Sequence, residues 1–274
     1  MSGPGDQSFV VIRGPAGSRF SEIRWFSEID STNRYLIDAA RAGAPEGLVV
    51  AADHQHAGRG RLGRRWDAPP GRNLLVSILL RPDVPAASLQ LCTAAVAMAA
   101  VSACAVGTGL EPSLKWPNDL IVGARKLAGV LAEFDGSGTG PPALVVGIGL
   151  NVAWPAPAGE AGEPEVPAEL RDAATSLWRE TGIRHDPRAL LDLLLRDLEP
   201  RVADLATTEG RRRQSREYRR RCATLGQRVR VDLDGESVTG DTVDVTPEGH
   251  LVIDLGTCFR TVTAGDVVHL RAQH

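Results

Sequence analysis

The chain has 274 residues, 43% of them hydrophobic and 24% charged, with 31 Lys and Arg against 34 Asp and Glu and a net charge of −3. That length suits one large domain or a large and a small one, and the composition is that of a soluble globular protein. The slightly acidic balance argues against a general nucleic-acid coat, so each basic cluster has to be weighed locally.

The N-terminus has no basic start followed by a long apolar core, so no secretory signal is read there. Residues 1–20 read as a poorly ordered or strand-like extension. "EIDSTNRYLIDAARAG" reads as a short strand and then a capped helix. Asp30, Ser31 or Thr32 can cap it, Tyr35, Leu36 and Ala39 or Ala40 give its apolar face, and Gly43 ends it. "GLVVAADHQ" is strand-like and runs into a loop rich in glycine and arginine. "NLLVSILL" has the continuous apolar character of a sheet interior. Residues 86–106 are the one membrane candidate. They are mostly alanine, broken by Ser88, Gln90, Thr93 and Ser102, and read better as a buried core helix. Short strands follow in "SLKWPNDLIVG", "RKLAGVLAEF" and "ALVVGIGLNV". Residues 154–167 are too rich in breakers for regular structure. Helices are expected over 168–181 and 186–206, with a third, arginine-rich one in "EGRRRQSREYRRRCATLG". After Gly226 apolar and polar residues alternate, with turns at Asp234-Gly235, Glu248-Gly249 and Gly256, which suggests a small barrel. The boundary falls near Ala223, giving domains 1–222 and 223–274. Cys92, Cys104, Cys222 and Cys258 are spread without a CxxC pair and read as buried free thiols in a reducing compartment.

The chemistry concentrates in four segments. In "AGRGRLGRRW", Gly58, Gly60 and Gly63 let backbone amides turn toward a ligand, and Arg59, Arg61, Arg64 and Arg65 offer planar forks for carboxylate or phosphate oxygens. Trp66 adds a flat face able to stack on a base. Taken alone, the loop reads equally as a solvated basic loop or an RNA contact. It is neither a Walker A sequence nor a GxGxxG at a helix start. "KWPNDL" sets Lys115, Asn118 and Asp119 close together; Asp119 could hold a magnesium ion or merely stabilise the turn after Pro117. In "RKLAGVLAEF" alternation points Lys126 and Ala128 one way, Leu127 and Gly129 the other. In "GIGLN", Gly147 and Gly149 allow close approach on a strand, and Asn151 can read an adenine edge or cap a loop. His54 and His56 read as surface polarity.

Together "STN" at 31–33, "QHAGRGRLGRRW" at 55–66, "KWPNDL" at 115–120, "KLAGVLAE" at 126–133 and "GIGLNV" at 147–152 resemble the biotin protein ligases, and the likeness runs from about Glu28 to the C-terminus. It implies an α+β fold: a mixed β-sheet catalytic domain packed with helices, then an SH3-like β-barrel. It implies activation of biotin by ATP, with Mg²⁺, to biotinyl-5'-AMP, and transfer to a lysine of a biotin carboxyl carrier protein in the cytoplasm. Arg59, Arg61 and Lys126 would be catalytic. Ser31, Thr32, Asn33, Gln55, Gly58, Gly60, Gly129, Gly147 and Gly149 would join them in holding biotin. Arg61, Arg64, Trp66, Lys115, Asn118 and Asn151 would hold the nucleotide, and Asp119 the metal. The loop would order over the adenylate, its charge satisfied only when ligand is present. Residues 1–20 are too few for the winged helix-turn-helix of relatives that double as repressors, so neither DNA nor membrane is an expected partner. Leu62 departs from the family pattern, where its position is often basic or polar. A lipoate or octanoate ligase of the same fold is the nearest alternative. A nucleic-acid-binding module using the basic loop and arginine-rich helix is another, against which stands the lack of interleaved aromatics.

Overall fold

Strands that are apolar on both faces make the centre of the molecule. The computed structural model describes residues 8–136, 142–233 and 235–270. Part of the N-terminal extension is a strand, β1 (Phe9–Arg13), antiparallel to β2 (Glu22–Ile29); residues 1–7 lie outside the described ones. Helix α1 (Thr32–Arg41) starts at Ser31, whose side chain accepts from the Arg34 amide, and leads to β3 (Val49–Gln55) and β4 (Leu74–Leu80). The alanine-rich segment becomes α2 (Gln90–Thr108), which stops at the left-handed Gly109 (φ 74°). Then come β5 (Ser113–Lys115), β6 (Asp119–Val122), β7 (Arg125–Asp135) and β8 (Ala143–Leu150). These form one eight-stranded sheet in the order β1-β2-β3-β4-β8-β7-β6-β5, antiparallel except for the β2–β3 pair.

Strand alternation sorts this sheet into two cores. On β3, Val49 and Ala51 enter the larger core beneath α2, while Val50 and Ala52 join Phe26, Leu36 and Leu79 beneath α1. A helix apolar on all sides has to be enclosed. The stretch 86–108 is long and apolar enough to cross a membrane, yet α2 lies inside the fold, with 13 of its residues buried. Its outer side is covered by α5 (Pro187–Leu205), which starts on the Asp186 cap and buries Leu190, Leu191, Leu194, Leu195 and Leu198.

Residues 168–181 do not form the single expected helix. They make α3 (Ala168–Arg171) and α4 (Leu177–Thr181), because the chain between them is drawn alongside β7. The Lys126 amide donates to Ala173 O at 2.8 Å, and the Thr175 amide to Lys126 O at 2.9 Å. Residues 154–167 are irregular, as expected. Helix α6 (Thr208–Arg221) carries the arginine run, but Arg213, Arg216, Arg219 and Arg221 pair with Asp204, Glu209, Asp244 and Glu111.

Strands β9 (Arg228–Asp232), β10 (Ser237–Val245), β11 (Leu251–Asp254), β12 (Phe259–Val262) and β13 (Asp266–His269) form an antiparallel sheet in the order β12-β11-β10-β9-β13. Asp234, expected in one of its turns, lies outside the described residues. The Trp116 indole, 1% exposed, ties this sheet to the rest by donating from Nε1 to Gly249 O at 2.9 Å. Cys92, Cys104 and Cys222 are buried, and burial pushes the first two thiols up to about 12. Cys258 is exposed on the edge-strand side of the small sheet, which corrects the expectation that all four are buried.

Candidate active site

The cleft begins with what β8 lacks. Its even residues Val146, Ile148 and Leu150 enter the core beneath α2, so the odd ones face away. Val145 packs beneath α1, and beyond it Gly147 and Gly149 leave the sheet surface without side chains. A Cβ on Gly147 would stand 2.2 Å from Asn33 Oδ1, and one on Gly149 2.3 Å from Trp66 Cε2. Over this floor lies a cleft of about 820 Å³, counted out to open solvent. The sequence-predicted Ser31, Thr32, Asn33, Gln55, Arg59, Gly60, Arg61, Arg64, Trp66, Asn118, Asp119, Lys126, Gly129, Gly147 and Gly149 all line it.

Strict alternation put Lys126 and Gly129 on opposite faces; the structure turns both into the cleft. The β6–β7 ladder shifts register between Leu120 and Ile121, so that Leu120 pairs with Ala128 and Ile121 with Lys126. Leu127 is the extra residue of a bulge, a device that re-aims neighbouring side chains. Lys126 Nζ then reaches Asp119 Oδ1 at 2.7 Å and lies 5.5 Å from the centre of the Trp66 ring. Asp119, expected to hold magnesium, is thus engaged by a lysine. Among the described residues no cluster of three His, Cys, Asp or Glu is placed to hold a metal.

The basic loop is a small hairpin. Gly60 N donates to Arg64 O at 2.7 Å and Trp66 N to Gly58 O at 3.0 Å. Gly58 does not line the cleft. It is needed for backbone approach, since a Cβ there would stand 2.2 Å from Trp66 O. Leu62 sits exposed at the tip with φ 56°, a left-handed conformation that costs a non-glycine residue about 1–2 kcal/mol.

Most of the loop's charge is matched by the protein itself, contrary to the expectation that only ligand satisfies it. Arg59 Nη2 lies 2.5 Å from both carboxylate oxygens of Glu133, Arg65 is 3.3 Å from Asp67, and Arg64 pairs with Asp266 of β13. That last hydrogen bond raises the Arg64 pKa. Arg61 differs. Its Nη1 donates to two neutral oxygens, Asn118 Oδ1 and Gly265 O, both at 3.2 Å. Burial pulls its pKa down against the opposing pull of Asp119 and Asp266, and a guanidinium so placed stays charged. Beside it, Trp66 Nε1 is buried with no acceptor among the described residues.

Besides Gly58, two predicted residues do not reach the cleft. Lys115 stands on β5 near His269 of the small sheet. Asn151 is 5% exposed and its amide is spent inside the protein: Oδ1 accepts from Asn73 at 3.0 Å and Nδ2 donates to Thr175 O at 3.0 Å. It is not free to read a base. Conversely, Ser77 and Asp266 line the cleft without having been singled out. Ser77 had a signal, as the one hydroxyl in the apolar run "NLLVSILL"; Asp266 had none.

Comparison with known proteins places this geometry. The model of the biotin/lipoate A/B protein ligase family matches residues 25–151, and that of the biotin protein ligase C-terminal domain matches 224–270. The biotin–[acetyl-CoA-carboxylase] ligase of Mycobacterium tuberculosis is 36% identical over 93% of this chain and 92% of its own. That of Paracoccus denitrificans is 40% identical over 60% of this chain and 66% of its own. The biotin protein ligase from Aquifex aeolicus, solved in complex with biotin and ATP, superposes with a TM-score of 0.75 at 27% identity, covering 91% of this chain and 99% of its own. Carrying the family's segments in order around one cleft and matching relatives along nearly its whole length, the chain belongs to the biotin/lipoate protein ligase family, as a biotin protein ligase.

Proposed function

We propose that this protein activates biotin with ATP to biotinyl-5'-AMP and transfers the biotinyl group to a lysine of a biotin carboxyl carrier protein, in the cytoplasm. The observation that carries the reading is Arg61, a half-buried guanidinium whose hydrogen-bond partners among the described residues are neutral, turned into the same cleft as Lys126. A carboxylate and a triphosphate repel each other, and fixed positive charge is what brings them together and stabilises the charge of the transition state. Lys126 and Arg61 supply it, with Asp119 holding the ammonium group and Asn118 the guanidinium. The Trp66 indole, seated on Gly149 and Gly129, gives the aliphatic stem an apolar wall, a different use from the nucleotide contact suggested by the sequence. Ser31, Thr32 and Gln55 offer polar atoms to the ureido head. Both nucleophiles belong to substrates, the biotin carboxylate and then the carrier lysine, so no side-chain nucleophile is required. Magnesium would arrive with the triphosphate. Such an ion keeps its waters and phosphate ligands, and Asp119, whose Oδ1 is paired with Lys126, would offer it only the second carboxylate oxygen.

Pyrophosphate release with ATP, Mg²⁺ and a carrier domain, offering biotin, lipoate or octanoate, tests the reading. Release and carrier labelling with biotin are expected. Release with lipoate or octanoate alone overturns it. The ion pairs of Arg213, Arg216, Arg219 and Arg221 on α6 speak against nucleic acid as the main partner.

A further inference from the structure

A row of buried polar contacts runs from the loop to the far end of the cleft. Glu133, which clasps Arg59, also accepts from Asn33 Nδ2 at 2.8 Å. Asn33 Oδ1 lies 2.5 Å from Ser77 Oγ, Ser77 Oγ 2.6 Å from Thr32 Oγ1, and Thr32 Oγ1 3.1 Å from Gln55 Oε1. Ser77 is wholly buried, and Asn33 and Thr32 are 4% and 3% exposed.

Counting protons gives this row a direction. The Asn33 group facing the Glu133 carboxylate and Leu131 O, which only accept, has to be its NH₂. Its oxygen therefore faces Ser77, and Ser77 spends its one proton there. Thr32 in turn has to donate to Ser77. The Gln55 atom near Thr32 is an oxygen, because it accepts from the Thr32 amide at 2.8 Å. No hydrogen is left for the contact between Thr32 Oγ1 and Gln55 Oε1. Two acceptors face each other on the cleft wall, and an N–H presented to them would satisfy both.

We propose that Ser77, Asn33 and Glu133 are positioning residues that fix this direction, so that Thr32 and Gln55 present paired acceptors to the N–H groups of a cyclic urea. The proposal rests on biotin being the ligand. Without Ser77, the Thr32 hydroxyl can rotate and donate to Gln55, and one acceptor is lost.

The test is calorimetric binding, without ATP, of biotin and of a carbamate analogue in which one ureido N–H is replaced by a ring oxygen. The wild type is expected to prefer biotin by about tenfold or more, the worth of one well-placed hydrogen bond. In S77A the preference is expected to fall below about threefold. E133L, altered at the half-buried rim, is expected to lower it too by freeing the Asn33 amide to turn. Circular dichroism confirms that each variant is folded. Biotin binding with the preference undiminished in both variants overturns the relay alone. Absence of biotin binding to the wild type overturns the functional reading and the relay with it.

Discussion

Replacing Arg61 by alanine separates catalysis from stability. The guanidinium gains little by being where it is: burial disfavours its charge, and its two hydrogen bonds go to neutral oxygens at 3.2 Å. R61A is therefore expected to stay within about 0.5 kcal/mol of the wild type in stability, a Tm change of about 2 °C or less. The transition state loses far more. Two unit charges about 4 Å apart at an effective dielectric of about 20 interact by about 4 kcal/mol. Losing one donor aimed at developing charge costs about 3 kcal/mol, on the order of a hundredfold to a thousandfold in kcat. Biotin-dependent exchange of pyrophosphate into ATP reads this directly, with thermal melting run in parallel. R64A provides the contrast, because Arg64 is more exposed and bound to Asp266, and a loss within about tenfold is expected. If R61A exchanges within about threefold of the wild type, Arg61 is not at the reacting phosphate and the reasoning fails.

The glycine floor is tested by G149A. Its Cβ would stand 2.3 Å from Trp66 Cε2, so the indole has to leave, and KM for biotin is expected to rise at least about tenfold in a folded protein. An unchanged KM would mean that the indole is not a wall of the biotin slot. W116F removes the hydrogen bond from Nε1 to Gly249 O and leaves a buried carbonyl unpaired, which costs about 1–3 kcal/mol. A Tm drop of several degrees with biotin affinity kept is expected; an unchanged melt would deny the link between the sheets. His269 has its pKa pulled below the ordinary 6.5, first by burial and then by Lys115. The unfolded chain takes up this proton more readily, so its contribution to stability is full above 6.5 and is lost as pH falls from there through the folded value. H269N is expected to flatten that part of the stability–pH curve. An identical slope below pH 6.5 would assign the effect to other groups.

The parts of this molecule that were legible were those governed by neighbours in sequence. Short apolar runs gave β3 and β8, and Asp30, Ser31 or Thr32 offered a cap for α1, of which the structure uses Ser31. Alanine-rich apolarity gave a buried helix rather than a membrane span. The glycines and arginines of 58–65 marked a loop with backbone freedom and planar donors, which are properties of the residues themselves, but only its company with the other segments favoured an anion cradle over a solvated basic loop or an RNA contact. The same local logic misled where a distant segment intervened. The helix over 168–181 was broken by pairing with Lys126, and Lys126 was turned round by one extra residue against β6. Asn151, reasonable as a base reader by its chemistry, was consumed by Asn73 and Thr175.

The amino-acid sequence by itself determined most of the strands and helices, where the polar and cationic groups of the cleft lie along the chain, and which family they resemble. Only the tertiary structure decided which charges are spent and which remain available. Arg59, Arg61 and Arg64 are interchangeable as residues, yet folding hands the first to Glu133 and the third to Asp266, while Arg61 meets a backbone carbonyl from the small sheet. The physical reason is that periodicity and propensity act over a few residues, whereas a carboxylate's choice of arginine depends on the register and packing of strands far apart in the chain.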